Sequence, residues 1–437
     1  MPSPDRRSET RTLLGAQLVF NIGFYAVVPF LAGAMGTEYG LDAAAIGLVL
    51  GARTFSQQGM FLFGGLLADR WGARRAILTG CLVRILGYAT LAAASDFTLF
   101  LLGAVLTGAG GALFSPALES QLSHADQPPA GGPGAGGRNR RSVFVWLAIT
   151  GELGAVVGPL LGSALLGWGF DAALTAGIAV FTAVTVLLWF RLPAGPGRRP
   201  RGRDPEGSAT VPAGPALDCL RNRRFVVFCL FAGTNMLAYN QLYFTVPVEL
   251  DRRGLDAAWL GGLFLLASVL TLLLQLPVST LGRHLGPGRA LSAGFLLVAA
   301  AFTVAAVTSV PPGTSGSSVL PVMGTVAVLI LGHMLLTPTI LSLVPAFTPA
   351  PETRSGRGAY YGLAATCGGV AVLVGNAGLG VLLELTARHQ WWPGTPWVPL
   401  TLLALLAAAA LPVVLRGHGA VRAPGPSATA APSRRTP

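Results

Sequence analysis

Gly64-Gly65-Leu66-Leu67-Ala68-Asp69-Arg70-Trp71-Gly72-Ala73-Arg74-Arg75 lies between two apolar runs, each long enough to cross a bilayer. Asp69, Arg70, Arg74 and Arg75 put four charges into these twelve residues of a chain that is 11% charged overall. The stretch therefore reads as the point where one membrane helix leaves the lipid and the next enters it. Gly72 permits a tight reversal because it has no Cβ to clash in a left-handed conformation. The small residues Gly64, Gly65 and Ala68 let a neighbouring helix come close. Taken alone, such a loop needs no role beyond setting topology.

Composition extends that reading to the whole chain. A mean hydropathy of +0.62 and 52% hydrophobic residues over 437 positions exclude an ordinary soluble protein. Twelve apolar segments fall at about 12–34, 44–68, 76–95, 98–122, 142–167, 171–190, 225–249, 257–281, 289–310, 319–347, 359–384 and 395–415. The net charge of +12 comes from arginines, which fall mostly in alternate short loops. With the N-terminus inside, the inner loops hold Arg70, Arg74, Arg75, Arg138, Arg140, Arg141, the cluster from Arg191 to Arg224, Arg283, Arg289, Arg354 and Arg357, and the outer loops only Arg252, Arg253 and Arg388. This is the positive-inside pattern, not a nucleic-acid surface. The expectation is an all-α protein of the bacterial cytoplasmic membrane with both termini cytoplasmic. It divides into a six-helix bundle over 1–190, a Pro/Gly/Arg-rich linker over 191–224, a second six-helix bundle over 225–416 and a disordered tail over 417–437.

The halves repeat each other. Tyr25-x3-Pro29 returns as Tyr243-x3-Pro247, Leu113-Phe-Ser-Pro116 as Leu335-Leu-Thr-Pro338, and Gly72-x2-Arg75-Ala76 as Gly286-x2-Arg289-Ala290. A duplicated six-span unit is the expectation for a transporter whose midplane site opens alternately to each side. The second charged loop has lost its acid: Gly282-Arg283-His284-Leu285-Gly286 has no counterpart of Asp69.

Ionisable residues inside apolar spans are the candidates for energy coupling, since charge in lipid is costly and usually faces a cavity or a partner. Glu152 lies about ten residues into the fifth span, ~15 Å at helical rise and close to the midplane, where an alternating proton carrier belongs. The alternative is a Glu permanently paired with an Arg. Arg53, in Arg53-Thr-Phe-Ser-Gln57-Gln58, is a candidate to hold Glu152 ionised, to bind an anionic substrate group, or only to fasten the second span. Arg84 and Glu119 suggest a structural pair or a part of the charged loop's machinery, and Glu119 is also a reserve proton site. His333 is a further proton candidate, although a lone His on an apolar helix is more often packing. Cavity candidates are Asn21, Tyr25, Gln57, Gln58, Asn235, Tyr239, Asn240, Gln241 and Tyr243, because amides in lipid need partners or a wet cavity. For Asn240 and Gln241 the competing reading is interhelical hydrogen bonding. Aromatics and amides with one carboxylate suit amphipathic or cationic compounds. Gly154, Gly158 and Gly162 recur every four residues, giving the fifth span a flat packing face, and Pro159 favours a bend.

The loop Gly65-x3-Asp69-Arg70-x-Gly72-x-Arg74-Arg75 resembles the loop between helices 2 and 3 of the major facilitator superfamily. The wider stretch Gly51 to Gly80 is similar to MdtH-type multidrug exporters, among the twelve-span drug:proton antiporters. The resemblance implies two pseudo-symmetric six-helix bundles, with Gly65, Asp69, Arg70, Gly72, Arg74, Arg75 and Arg84 serving as a latch for one conformation. Gly154, Gly158, Pro159 and Gly162 resemble the fifth-helix signature of proton-linked exporters. The chain departs from these patterns at Ala73, where a basic residue is usual, at Ser163, and in the fourth span, which lacks the family's Arg.

The expected function is export of small amphipathic or drug-like molecules in exchange for protons. No cofactor and no nucleic acid are expected. The partners are a small-molecule substrate and the bilayer, with the chain a monomer. The four cysteines read as packing residues. No nucleotide-binding loop or metal spacing is present, so an enzyme is not expected. Two other readings stay open: an exporter of one narrow metabolite, and a non-transporting sensor that kept the fold.

Overall fold

The computed structural model describes residues 4–61, 67, 71–126, 143–192, 218–311, 313–314, 318–347 and 357–416. Gly65, Asp69 and Arg70, most of the 191–224 linker and the 417–437 tail lie outside the described residues, as does the side chain of Glu119. The first half holds α1 (Pro4–Thr37), α2 (Ala43–Gln58), α3 (Ala73–Ala92), α4 (Phe97–Asp126), α5 (Val143–Leu165) and α6 (Phe170–Arg191). The second holds α7 (Arg223–Asn240), α8 (Thr245–Arg252), α9 (Ala258–Leu285), α10 (Pro287–Thr308), α11 (Leu320–Leu343), α12 (Arg357–Arg388) and α13 (Trp397–Arg416). Among the described residues eleven segments are long and apolar enough to cross a membrane, with α7 and α8 together making one. α2 begins the second apolar run of the sequence, 44–68, and the remainder of that run lies largely outside the described residues. With that run as the twelfth crossing, the two termini lie at one end of the bundle, called here the termini end.

The seventh span is one apolar run in sequence but two helices in space. Pro247 has no N–H to offer the carbonyl one turn back, and the chain between Asn240 and Thr245 tightens into turns, with Tyr243 N–H donating to Asn240 O and Phe244 N–H to Gln241 O. Its repeat partner Pro29 sits inside an unbroken α1. The duplication is otherwise legible in the backbone. Gly72 (φ 86°, ψ 144°) opens α3 and Gly286 (φ 74°, ψ 160°) opens α10, both in a positive-φ conformation that only glycine adopts without strain. Gly80 meets Gly110 where α3 crosses α4, and Gly294 meets Gly332 where α10 crosses α11.

Within the first half α3 packs on α4 and α6, and α1 on α5 and α6. In the second half α10 packs on α11 and α13, and α7 on α12. The halves meet along α2 with α12, α5 with α9, and α1 with α8. Glycine makes these crossings close. A Cβ on Gly47 would fall on the carbonyl oxygen of Asn376, and one on Gly380 on that of Ala43. The Gly154, Gly158 and Gly162 face of α5 lies against α1 at Asn21, Tyr25 and Ala26, while Pro159 and Ser163 meet Gly261 of α9. Leu272, Leu273 and Leu276 of α9 stay exposed, as expected of side chains that face lipid.

Candidate functional site

The repeat's tyrosines lead to the centre of the molecule. Tyr25 of α1 and Tyr243 just before α8 come from opposite halves, and both pack edge-on or tilted against Phe264 of α9, with ring centroids 6.1 and 5.2 Å away. Phe24 adds contacts to Tyr25 (4.9 Å) and to Tyr243 (6.3 Å), and Tyr239 lies 6.2 Å from Tyr243. The prolines of the same repeat, Pro29 and Pro247, line a cavity of about 730 Å³ that opens at the end opposite the termini. Its rim carries Glu38, Asp251 and Asp256 and no basic residue. Beside it Tyr39 packs edge-on against Phe100, and burial, with Asp171 and Glu38 nearby, pushes its phenol above the ordinary range. Tyr25 and Tyr243 lie four residues before these prolines, so the aromatic cluster forms a floor beneath this acidic vestibule without lining it.

Glu152 projects from α5 on the termini side of this floor. It is partly exposed, has no ion-pair partner among the described residues, and lies within electrostatic reach of Tyr25 and Tyr239. The glycine face of α5 sets its position by bringing α1 within backbone contact. Arg53 does not pair with it. The Arg53 guanidinium turns toward α1, donates from Nη2 to Gln57 Oε1 (2.7 Å) and lies 4.6 Å from the centroid of the Phe24 ring. Asn21 and Gln58 are partly exposed, the latter beside Gly369 of α12.

Arg84 lies nine residues beyond Arg75 along α3, ~13 Å at helical rise, and the Gly65, Asp69 and Arg70 with which the sequence groups it fall outside the described residues. It sits near the middle of α3, 2% exposed, with its guanidinium 5.1–5.9 Å from the ring centroids of Phe24, Tyr88, Phe114 and Phe181. No carboxylate among the described residues reaches it. Nine residues of α4, ~13 Å at helical rise, separate Glu119 from Gly110, the glycine that packs on Arg84. Of the expected latch, Gly65, Asp69 and Arg70 fall outside the described residues. Arg74 donates from Nη2 to the Trp189 carbonyl (2.6 Å) and lies over the Trp189 ring, so it ties the start of α3 to the end of α6 inside the first half. That carbonyl belongs to the last turn of α6, where a cation is favoured. Arg75 is exposed.

Asn240 and Gln241 are held in interhelical hydrogen bonds, the competing reading of the sequence. They are 8% and 0% exposed, and their amides are used in a chain that crosses between the halves. Asn240 donates to Thr54 Oγ1 of α2 (3.2 Å), Asn376 of α12 donates to Asn240 Oδ1 (2.7 Å), and Gln241 donates to Asn376 Oδ1 (3.1 Å) and accepts from Thr245 (3.1 Å). Asn376, fully buried, closes this network and is absent from the sequence-derived set. A lone amide in the apolar span of α12 is the signal that points to it.

His333 of α11 is likewise engaged. It stacks on Tyr239 (4.3 Å) and forms a ring of three hydrogen bonds with α7. With the tautomer these partners select, Nδ1–H donates to Asn235 Oδ1 (3.1 Å), Asn235 Nδ2 to Thr337 Oγ1 (3.1 Å), and the Thr337 hydroxyl to Nε2 (3.2 Å). Further along, Glu249 and Arg253 form the one ion pair among the described residues (3.0 Å). Ser309 donates to Glu249, and Arg253 donates to the Thr308 and Ser318 carbonyls. All four cysteines are free thiols.

Comparison with known proteins agrees with this architecture. The sequence model described as Major Facilitator Superfamily matches residues 13–376. An uncharacterized MFS-type transporter of Mycobacterium tuberculosis is 32% identical over 92% of both chains. The multidrug resistance protein MdtH of Escherichia coli is 28% identical over 91% of this chain and 92% of its own. A crystal structure of a POT peptide transporter in complex with alafosfalin superposes with a TM-score of 0.73 at 18% identity, covering 94% of this chain and 96% of that one. One of the nucleoside transporter NupG gives 0.70 at 14%, covering 93% and 99%. At such identities the structures show a shared fold.

Proposed function

The chain belongs to the major facilitator superfamily of membrane transporters, and from that premise we propose that it exports small amphipathic molecules in exchange for protons, by alternating access. The observation that carries the reading is Glu152: a partly exposed carboxyl near the middle of α5, beside the aromatic floor where the halves meet, with no cation within ion-pair distance among the described residues. A group held in that way is free to take a proton from one side and release it to the other. The likeness to MdtH supports export of drug-like molecules across a bacterial cytoplasmic membrane, with both termini on the cytoplasmic face. The vestibule would then open outward, its acidic rim suited to supplying protons.

The test is substrate-driven proton flux in vesicles that contain the purified full chain and carry an imposed pH gradient, with lipophilic dyes and drugs as probes. Wild type should dissipate the gradient when a transported compound is added, and Glu152→Gln should abolish that response while keeping a wild-type melting profile. Dissipation that persists in Glu152→Gln would overturn the role of Glu152 and move the proton site to His333 or Glu119. A folded wild type that answers no compound would overturn broad export.

A further inference from the structure

We propose that Arg53 and Arg84, with the Phe24 ring between them, form a receptor for a carboxylate carried by the transported molecule; this rests on the transporter reading above. Both side chains are almost completely withdrawn from solvent, at 5% and 2% exposed. Both guanidiniums lie against Phe24, at 4.6 and 5.3 Å from its centroid. Aromatic faces attract cations but accept no conventional hydrogen bond. Accordingly Arg53 Nε, Arg84 Nε and Arg84 Nη2 are buried with no acceptor among the described residues. A buried guanidinium cannot escape by losing its proton. An anion with more than one oxygen would supply both the acceptors and the negative charge that these donors lack. A carboxylate, planar and able to take two parallel N–H donors, matches a guanidinium edge.

The charge is not a requirement of the fold. By the spacing that relates Gly47 to Gly261 and Gly80 to Gly294, the positions equivalent to Arg53 and Arg84 in the second half are Ala267 and Val298, both buried and apolar. The same helix crossings are thus built without cations. Phe24 is partly exposed and neighbours Tyr25 in the floor between the halves. Rotation of its ring would open the two guanidiniums to that interface, so the ring holds the place of the ligand's charged group. The site favours amphipathic acids, in contrast to the cationic preference that the sequence suggests.

The experiment compares decanoate with decanol, which share a chain and differ in the charged group, by fluorescence titration of the purified full chain in neutral detergent. Wild type should bind decanoate roughly tenfold or more tightly than decanol, the scale of hydrogen bonds to a charged group. Arg53→Gln and Arg84→Gln should each lose that preference and keep decanol affinity. Phe24→Ala, which leaves both arginines in place, should widen the preference and tests the site should an arginine variant fail to fold. Equal affinity of wild type for the two probes would overturn the proposal. So would a preference that survives both Gln substitutions, or one that chloride alone removes by occupying the site. Wild type in vesicles with and without an anionic lipid separates sources: an effect that appears only with the lipid assigns the site to a headgroup and overturns the substrate reading. Loss of proton exchange in wild type with the decanoate preference intact would sink the antiport reading and leave the site standing. Exchange without the preference would do the reverse.

Discussion

The two halves share a skeleton and handle buried polarity in opposite ways. In the second half the buried polar side chains largely answer one another: Asn235, Thr337 and His333 close a ring, Asn376 joins Asn240 to Gln241, and Glu249 meets Arg253. In the first half the buried cations lie on aromatic faces, and four of the five unpartnered buried side-chain atoms among the described residues belong to Arg53, Arg74 and Arg84. A satisfied network resists change, because breaking it exposes the full desolvation cost of whatever is left behind. An unsatisfied one gains from a new partner. By this contrast the second half is built as a scaffold, while the first half carries the buried cations for which a ligand site is proposed above.

Substitutions can break that contrast, and the largest effect belongs to the scaffold. Arg253→Ala leaves the buried Glu249 carboxylate without its ion-pair partner, with the Ser309 hydroxyl still donating to it, which costs about 3–5 kcal/mol. Thermal unfolding in detergent should show a large loss of stability or no folded protein; a wild-type melt would mean the pair is dispensable. Asn376→Ala is expected next, at about 1–3 kcal/mol for the amide groups it strands. A double-mutant cycle with Thr54→Val should show coupling, because the chain through Asn240 joins the halves; strict additivity would dissolve the bridge into separate contacts. Smallest of the three is Arg84→Met, which replaces an unpaired buried charge by an apolar chain of similar length. Its unfolding free energy should stay within about 1 kcal/mol of wild type or rise, since loss of cation–π contact is offset by relief of desolvation. A collapse in stability would make Arg84 a structural anchor and erase the contrast.

Much of this was legible in the sequence because it rests on local chemistry. Twelve apolar lengths, the repeat of Tyr25-x3-Pro29 and the glycines at Gly72 and Gly286 each need only their neighbours to be read. The four-residue glycine period of α5 announced a close helix contact, and α1 is the helix that fills it. What was not legible depends on distant partners. Asn240 and Gln241 are ambiguous because lipid-embedded amides need partners, and Asn376, more than a hundred residues away, donates to the first and accepts from the second. Phe24 is one of 21 phenylalanines, and only the convergence of α1, α2 and α3 places it against two guanidiniums. Pro247 breaks its span and Pro29 does not, so proline alone does not decide a kink; the surrounding packing does.

Arg53 and Arg84 also have an electrical meaning. They lie well inside α2 and α3 and stay charged at any physiological pH, so the empty carrier holds two positive charges within the membrane's electric field. Moving one elementary charge through 100 mV is worth about 2.3 kcal/mol. A rearrangement that changes which aqueous face these side chains communicate with therefore couples to membrane voltage, by the fraction of the field that each charge crosses. An anion bound as proposed above would cancel part of that charge. Loaded and empty forms would then respond differently to voltage, and the membrane potential would join the concentration gradients in setting which way the cycle turns.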